Sequence, residues 1–368
     1  MTEQHKLRVG VIFGGRSGEH EVSLVSAASV LRTLDPLRYD LIQIGIDLQG
    51  RWWSGADVLG ALRAGDTRAL QPVAVLPDPT RPGLYAVQPD GSLAFLQAID
   101  VFFPLVHGTF GEDGTLQGLL ELNGAPYVGA GVVGSAVGMD KAIFKAVMAA
   151  HNLPLLPWHL VLRTDVLRDP QTTLAQLEDL GSYPLFVKPA NLGSSVGITK
   201  CRNRSDLYEG LMEAARFDRR LIVERGVEAR EIEVSVLGNE APQASLPGEI
   251  RLQAEFYSYE AKYHDDRSEL LIPAPLSPEM SERVRLLAVQ AYRAADCAGM
   301  ARADFLLDKQ TNELYLNEIN TIPGFTQISM YPKLWEASGL PYRELLNRLI
   351  ELALARQQER LQTRYQRM

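Results

Sequence analysis

Apolar runs separated by glycine turns set the pattern of the first part of the chain. Residues 7–13 are rich in Val and Ile, as expected of a parallel strand buried on both faces. Gly14-Gly15-Arg16-Ser17-Gly18 turns the chain, and residues 21–34 predict a helix. Residues 39–46 predict a second strand and 100–105 a third, whereas 47–98 carry Pro, Gly and only short strand signals. A loop, His107-Gly108-Thr109-Phe110-Gly111-Glu112-Asp113-Gly114, precedes a helix over 115–122. Strand, glycine loop and helix, repeated, predict an open doubly wound parallel sheet.

The pattern changes near residue 131. A helix over 139–151, strands over 184–188 and 196–200, a helix over 205–217 and a strand over 220–224 predict a small α+β unit. A larger α+β section follows, with a strand over 232–237, a polar aromatic stretch over 257–271, a helix over 278–297, a hairpin ending at Asn320 and a helix from 342 onward. The polarity of 356–368 predicts frayed last turns. The expected division is an N-terminal α/β domain over 1–130, a central subdomain over 131–227 and a C-terminal subdomain over 228–368.

A chain of 368 residues exceeds one ordinary core, in keeping with two or three domains. The net charge of -8 argues against nucleic acid or an anionic membrane as the main partner. Two cysteines, Cys201 and Cys297, lack metal-ligand spacing and suit a reduced cytoplasmic setting. Residues 1–8 lack the apolar stretch of a signal peptide, and no segment reaches the apolar length of a membrane span.

The hairpin is the most informative segment. Alternation puts Arg302, Asp304 and Leu306 on one face of its first strand, and Leu316, Glu318 and Asn320 on one face of its second. A turn centred near Thr311 sets Asp304 opposite Glu318 and Arg302 opposite Asn320. Such oxygen donors suit Mg²⁺, which usually arrives with phosphates, and an arginine beside them can hold a phosphoryl oxygen. The competing reading is the wet face of an amphipathic hairpin.

Other loops stay ambiguous when read singly. Asn191-Leu192-Gly193-Ser194-Ser195, after Lys188, offers N–H groups, hydroxyls and a charge to phosphate, or is an ordinary hairpin loop. Lys141 stands in the first turn of a helix, where a cation is disfavoured unless an anion is near. Glu224-Arg225-Gly226-Val227, leading to Glu231, is either a solvated linker or a seat for a planar base, with Glu231 accepting from ribose hydroxyls. Glu19 follows the first strand at its carboxyl end, where open α/β sheets bind ligands. The stretch 257–271 reads as a flap or a plain surface loop. Gly324 offers an N–H to an oxyanion or marks a simple Pro-Gly turn.

The order of these loops resembles the ATP-grasp superfamily and, within it, the D-alanine–D-alanine ligases. The resemblance runs nearly end to end. It rests on Gly14-Gly15 with Ser17-Gly18-Glu19-His20-Glu21-Val22-Ser23, on the His107–Gly114 loop continued by Thr115-Leu116-Gln117-Gly118, on Tyr259-Glu260-Ala261-Lys262-Tyr263, and on Asn317-Glu318-Ile319-Asn320-Thr321-Ile322-Pro323-Gly324. It implies a cytoplasmic homodimer that joins two D-alanines through an acyl phosphate, for peptidoglycan precursors. Asp304, Glu318 and Asn320 would hold two Mg²⁺ (or Mn²⁺) ions. Lys141, Lys188, Ser194, Ser195, Glu224, Val227 and Glu231 would bind ATP. Glu19, with Ser194 and Tyr263 linked to it, would receive the first D-alanine's ammonium near His107. Arg302 and the Gly324 N–H would stabilise the tetrahedral intermediate, and Lys262, Ser329 and Met330 would contact the second D-alanine.

Asn191-Leu192 departs from the Arg-Glu pair of some relatives, so the charge on that loop does not carry over. Tyr263 favours amide formation over the D-lactate ester. A non-catalytic nucleotide-binding protein of the same fold is the alternative outside enzymes. A nicotinamide enzyme fits poorly, since Gly14-Gly15-Arg16-Ser17-Gly18 lacks the Gly-x-Gly-x-x-Gly pattern.

Overall fold

The computed structural model describes residues 6–193, 196–251, 269–326 and 328–364. Strands β1 (Leu7–Gly14), β2 (Tyr39–Ile46), β3 (Trp52–Ser54), β4 (Gln71–Val75), β5 (Leu84–Val87), β6 (Leu93–Gln97) and β7 (Val101–Pro104) form the first sheet, in the order β6-β5-β4-β3-β2-β1-β7. Its helices are α1 (His20–Thr33), α2 (Val58–Ala64) and α3 (Thr115–Asn123). Only β2, β1 and β7 run parallel. From β3 to β6 the pairing is antiparallel, so the sheet is mixed where a parallel one was expected. The reason is local: residues 47–98 hold short strands, mostly joined by loops of five to eight residues, and even the longer β3–β4 connection, which carries α2, returns its strand antiparallel.

The apolar run in β1 is buried on both faces. Val9, Val11 and Phe13 enter one core with Leu24, Phe325, Tyr331 and Leu345, whereas Ile12 joins Ile44, Phe102 and Leu120 in another.

The central unit contains α4 (Val132–Met139), α5 (Lys141–Ala150), β8 (Trp158–Leu162), α6 (Arg163–Arg168), α7 (Pro170–Glu178), β9 (Leu185–Pro189), β10 (Thr199–Cys201), α8 (Arg204–Ala214) and β11 (Arg220–Arg225). The helix expected over 139–151 is α5, which starts at Lys141, and α4 ahead of it was not expected. Asp140, with φ -86° and ψ 102°, ends α4, and its carboxylate caps α5 by accepting from the Ala142 and Ile143 N–H groups. The sheet runs β10-β9-β11-β8 and is antiparallel. Leu185, Val187, Leu221 and Val223 pack with Leu174, Leu207 and Leu211. By alternation Lys188, Ile222 and Glu224 occupy the other face.

The third unit holds β12 (Ala229–Gly238), β13 (Gln243–Ala244), β14 (Gly248–Arg251), β15 (Glu269–Leu271), α9 (Pro278–Ala294), β16 (Gly299–Asp308), β17 (Leu314–Asn320), α10 (Met330–Ala337) and α11 (Tyr342–Arg360). Its sheet runs β15-β14-β12-β16-β17, with β13 paired to β12. Ile232, Val234, Val236, Ala301, Ala303 and Phe305 pack with Val284, Ala288 and Tyr292 of α9. Most of the expected flap lies outside the described residues, and its end, β15, is a strand paired with β14. Helix α11 persists to Arg360 because Arg356 donates to the Gly129 carbonyl and lies over the Tyr127 ring, while Gln357 donates to the Gly124 carbonyl at 2.8 Å. Among the described residues no helix is long and apolar enough to cross a membrane.

Candidate active site

The hairpin brings the expected side chains together. Arg302 pairs with Asn320, Ala303 with Ile319 and Asp304 with Glu318. One step on, the register shifts and Phe305 pairs with Leu316, so Asn317 is the extra residue of a bulge. The bulge resets the alternation. Leu316 joins Leu314 and Ile319 in the core and does not share a face with Glu318, contrary to strict alternation.

Strand β12 extends this face. Glu233 pairs with Asp304, Ser235 with Arg302 and Glu231 with Leu306. Glu233, Asp304 and Glu318 therefore form one row across three strands, with Ser235, Arg302 and Asn320 in the next. The Arg302 guanidinium donates to Asp304 from Nε (2.7 Å) and Nη2 (2.6 Å), and its Nε lies 3.0 Å from Glu233 Oε2. Asn320 Nδ2 donates to Asp304 Oδ2 at 3.4 Å. Burial opposes the charge on Arg302, but the Asp304 and Glu233 carboxylates prevail and hold its pKa well above the ordinary value.

Among the described residues no three His, Cys, Asp or Glu side chains group as a metal cluster. The donors here are two carboxylates and the Asn320 amide. All are oxygen donors beside a single guanidinium, and this fits a hard divalent cation.

The central sheet supplies the opposing charge. Lys188 pairs with Ile222 in the ladder, which puts Glu224 diagonal to it on the same face. Lys188 Nζ donates to Glu224 Oε2 at 2.8 Å, and Lys145 Nζ lies 3.1 Å from Oε1. Burial disfavours the Glu224 carboxylate, but the two ammonium groups win and draw its pKa down to about 2. Burial also opposes the charge on Lys188, and Glu224 overrides it, raising the pKa; for Lys145 burial prevails and lowers it. Glu318 and Glu231 act on the Lys188 charge as well. Lys141 opens α5; its Nζ donates to the Leu192 carbonyl at 2.7 Å and its N–H to the Ala190 carbonyl at 2.8 Å. Val227 is half-buried in the β11–β12 connection, and half-buried Glu231 shares the face of Glu233.

Three loops meet at Glu19. A Cβ on Gly108 would stand 2.5 Å from Glu19 Oε2, and one on Gly193 would stand 2.7 Å from it. The carboxylate therefore touches both the His107–Gly114 loop and the loop after β9. His107 is buried, which lowers its pKa and keeps the ring neutral. Its Nδ1 lies 2.9 Å from the Ile322 carbonyl, so Nδ1 carries the proton and Nε2 accepts from Ser26 Oγ at 3.0 Å. Glu112 accepts from the Gly108 N–H at 2.8 Å and the Ile322 N–H at 3.2 Å. Burial first, and Glu19 second, raise its pKa to about 8.

Gly324 packs beside Ser329, whose Oγ accepts from the Thr326 N–H at 3.0 Å. The Met330 side chain lies in a core with Ile250 and Leu334, which leaves its backbone at the start of α10 as the part able to meet a ligand. Ser194, Ser195, Lys262 and Tyr263 lie outside the described residues. Sequence reasoning missed Lys145, Glu112 and Glu233. The Glu-x-Glu alternation in β12 could have found Glu233, and a lysine within Ala142-Ile143-Phe144-Lys145-Ala146-Val147-Met148 could have flagged a buried charge.

Known proteins are similar to this chain in sequence and fold. Residues 8–130 match the family model described as D-ala D-ala ligase N-terminus, and residues 147–351 match D-ala D-ala ligase C-terminus. The D-alanine--D-alanine ligase of Heliobacterium modesticaldum is 52% identical over 363 residues, covering 99% of each chain. Among solved structures, the D-alanine-D-alanine ligase from Coxiella burnetii has a TM-score of 0.83 at 39% identity, covering 97% of this chain and 96% of its own. The VanG D-Ala:D-Ser ligase from Enterococcus faecalis has a TM-score of 0.84 at 33% identity, covering 95% of this chain and 100% of its own. Full-length matches at this identity, with both family models, establish that the chain belongs to the D-alanine–D-alanine ligase family.

Proposed function

We propose that this enzyme joins two D-alanines into D-alanyl-D-alanine with ATP, for peptidoglycan precursor synthesis. The observation that carries the reading is the polar face of Arg302, Asp304, Glu318 and Asn320 near Lys188 and Glu224, in a chain 52% identical to a D-alanine--D-alanine ligase. The first D-alanine's carboxylate oxygen attacks the γ-phosphorus, ADP departs, and an acyl phosphate forms. The second D-alanine's amine attacks the acyl carbon, the carbon–oxygen bond to phosphate breaks, and the amine loses a proton.

Each side chain has a task in this scheme. Lys141 and Lys188, with Ser194 and Ser195, bind phosphates; Glu224, Val227 and Glu231 bind the nucleoside. Glu19 receives the first substrate's ammonium near His107, with Ser194 and Tyr263 linked to it. Arg302 and the Gly324 N–H meet the tetrahedral oxyanion. Lys262, Ser329 and the start of α10 take the second substrate's carboxylate, where a helix N-terminus favours an anion. Asp304, Glu318 and Asn320 would hold two Mg²⁺ or Mn²⁺ ions, which supply charge neutralisation to the phosphates. Domain limits at 130 and 227, a homodimer and a cytoplasmic location belong to the same reading.

The test is incubation with ATP, Mg²⁺ and D-alanine, measuring phosphate and dipeptide, with D-serine and D-lactate as competitors. D-serine is included because VanG, a D-Ala:D-Ser ligase, shares the fold. ATP turnover that ignores D-alanine and answers to another amino acid would overturn the substrate assignment.

A further inference from the structure

Lys145 has no role in the substrate contacts above, yet its side chain is only 2% exposed. The other buried side chains of α5, Ala142, Phe144 and Met148, have no charge to give it. A buried ammonium is costly unless paired. Its partner is Glu224 Oε1, at 3.1 Å, while Lys188 holds Oε2 of the same carboxylate at 2.8 Å. The Glu224 side chain is 3% exposed and that of Lys188 13%, so Lys188 is the most open member of the three. Two ammonium groups share one carboxylate, and the triad carries one net positive charge. With Lys188 alone, Glu224 would form a neutral pair and take up the charge that Lys188 offers to a ligand. Glu318 also acts on both lysines and Glu231 on Lys188; Glu318 is assigned to a divalent ion, and Glu231, assigned to the ribose, is the same in every variant and so does not alter the comparison.

We propose that Lys145 is a positioning residue that neutralises Glu224, so that Lys188 keeps its positive charge for the polyphosphate of the nucleotide. The proposal rests on the ATP reading above. It predicts that loss of Lys145 is felt in proportion to phosphate charge, which a purely structural lysine would not produce.

Wild type, Lys145→Met and Lys145→Met/Glu224→Gln are titrated with ATP, ADP and adenosine. Lys145→Met should bind ATP about tenfold more weakly and adenosine within about threefold of wild type, because the lost charge acts on phosphate. The double variant again leaves one lysine unopposed, so its ratio of ATP to adenosine affinity should return to within about threefold of wild type. Using the ratio cancels any contact of Glu224 with the base. Equal loss for all three ligands in Lys145→Met, or a ratio still depressed in the double variant, overturns the proposal. Should Lys145→Met fail to fold, Lys145→Gln, whose uncharged amide can still donate to Glu224, takes its place with the same expected outcomes. A wild type that binds neither ATP nor ADP overturns the ATP reading itself. One that binds ATP, with a ratio unchanged in the Lys145 single variant, overturns only the role of Lys145.

Discussion

Arg302 holds Asp304 at two points, Nε to Oδ1 at 2.7 Å and Nη2 to Oδ2 at 2.6 Å, with both side chains on the same face of β16. A cation at Asp304 must share that carboxylate with the guanidinium. Glu233, 3.0 Å from Arg302 Nε, is the group left to keep the arginine in place. Glu233→Gln should lower kcat by about 10–100-fold, the usual cost of removing a partner one layer out from a reacting group. KM for ATP should change much less. Steady-state kinetics check this, and a variant with wild-type kcat would remove Glu233 from the site.

Glu318→Ala should raise the divalent-ion concentration needed for ATP turnover by more than about a hundredfold, since even outer partners of metal ligands cost about 10–100-fold. The fold should persist, because the carboxylates of this row repel one another without a cation. Activity titrated against Mg²⁺, beside a thermal melt, tests both halves. Near-native turnover at low Mg²⁺ would refute the assignment.

Gly193→Ala introduces a methyl 2.7 Å from Glu19 Oε2. The carboxylate must move, and a displacement of about 1 Å in a positioning group costs up to about a hundredfold. KM for D-alanine at the first site should rise, with affinity for ATP changing far less. Equal effects on both substrates would argue that the loop, and not Glu19, had been disturbed.

Glu112 gives a pH signature. Its folded pKa, raised to about 8 from 4.5, means that the folded chain binds the proton more tightly than the unfolded one. Between these values stability falls as pH rises, by at most about 1.4 kcal/mol per pH unit from this group. Glu112→Gln loses one of two acceptors for the Gly108 and Ile322 N–H groups and should begin about 1–3 kcal/mol less stable at pH 5. Its slope should be flatter, so the gap narrows towards pH 8. Denaturant unfolding across this range measures the gap, and parallel lines would exclude Glu112 as the titrating group.

Much of the site was legible because its signals are local. A turn centred near Thr311 placed Asp304 opposite Glu318 and Arg302 opposite Asn320, as found, although the pairing next to the turn, Leu307 with Leu314, would by itself set Asp304 opposite Asn317, and the bulge there supplies the extra step. The continuous apolar run in β1 announced a strand covered on both faces, and Val9 to Phe13 are buried. The start of α5 was placed two residues early although its cause is also local: Asp140 stands two and three residues before the N–H groups it caps.

What the sequence by itself determined is therefore alternation, turn position and the chemistry of each loop, which depend on neighbours a few residues apart. Tertiary structure alone decided the rest. Lys145 and Glu224 are far apart in sequence, and only the packing of α5 against the central sheet makes them a pair. Glu112 reaches Ile322 across 210 positions, and Glu19 meets Gly108 and Gly193 from separate units. The bulge at Asn317 likewise turns Leu316 into the core while leaving Glu318 beside Asp304. A buried charge is stable only where the fold brings its counter-charge, and that meeting is set by how the three sheets pack.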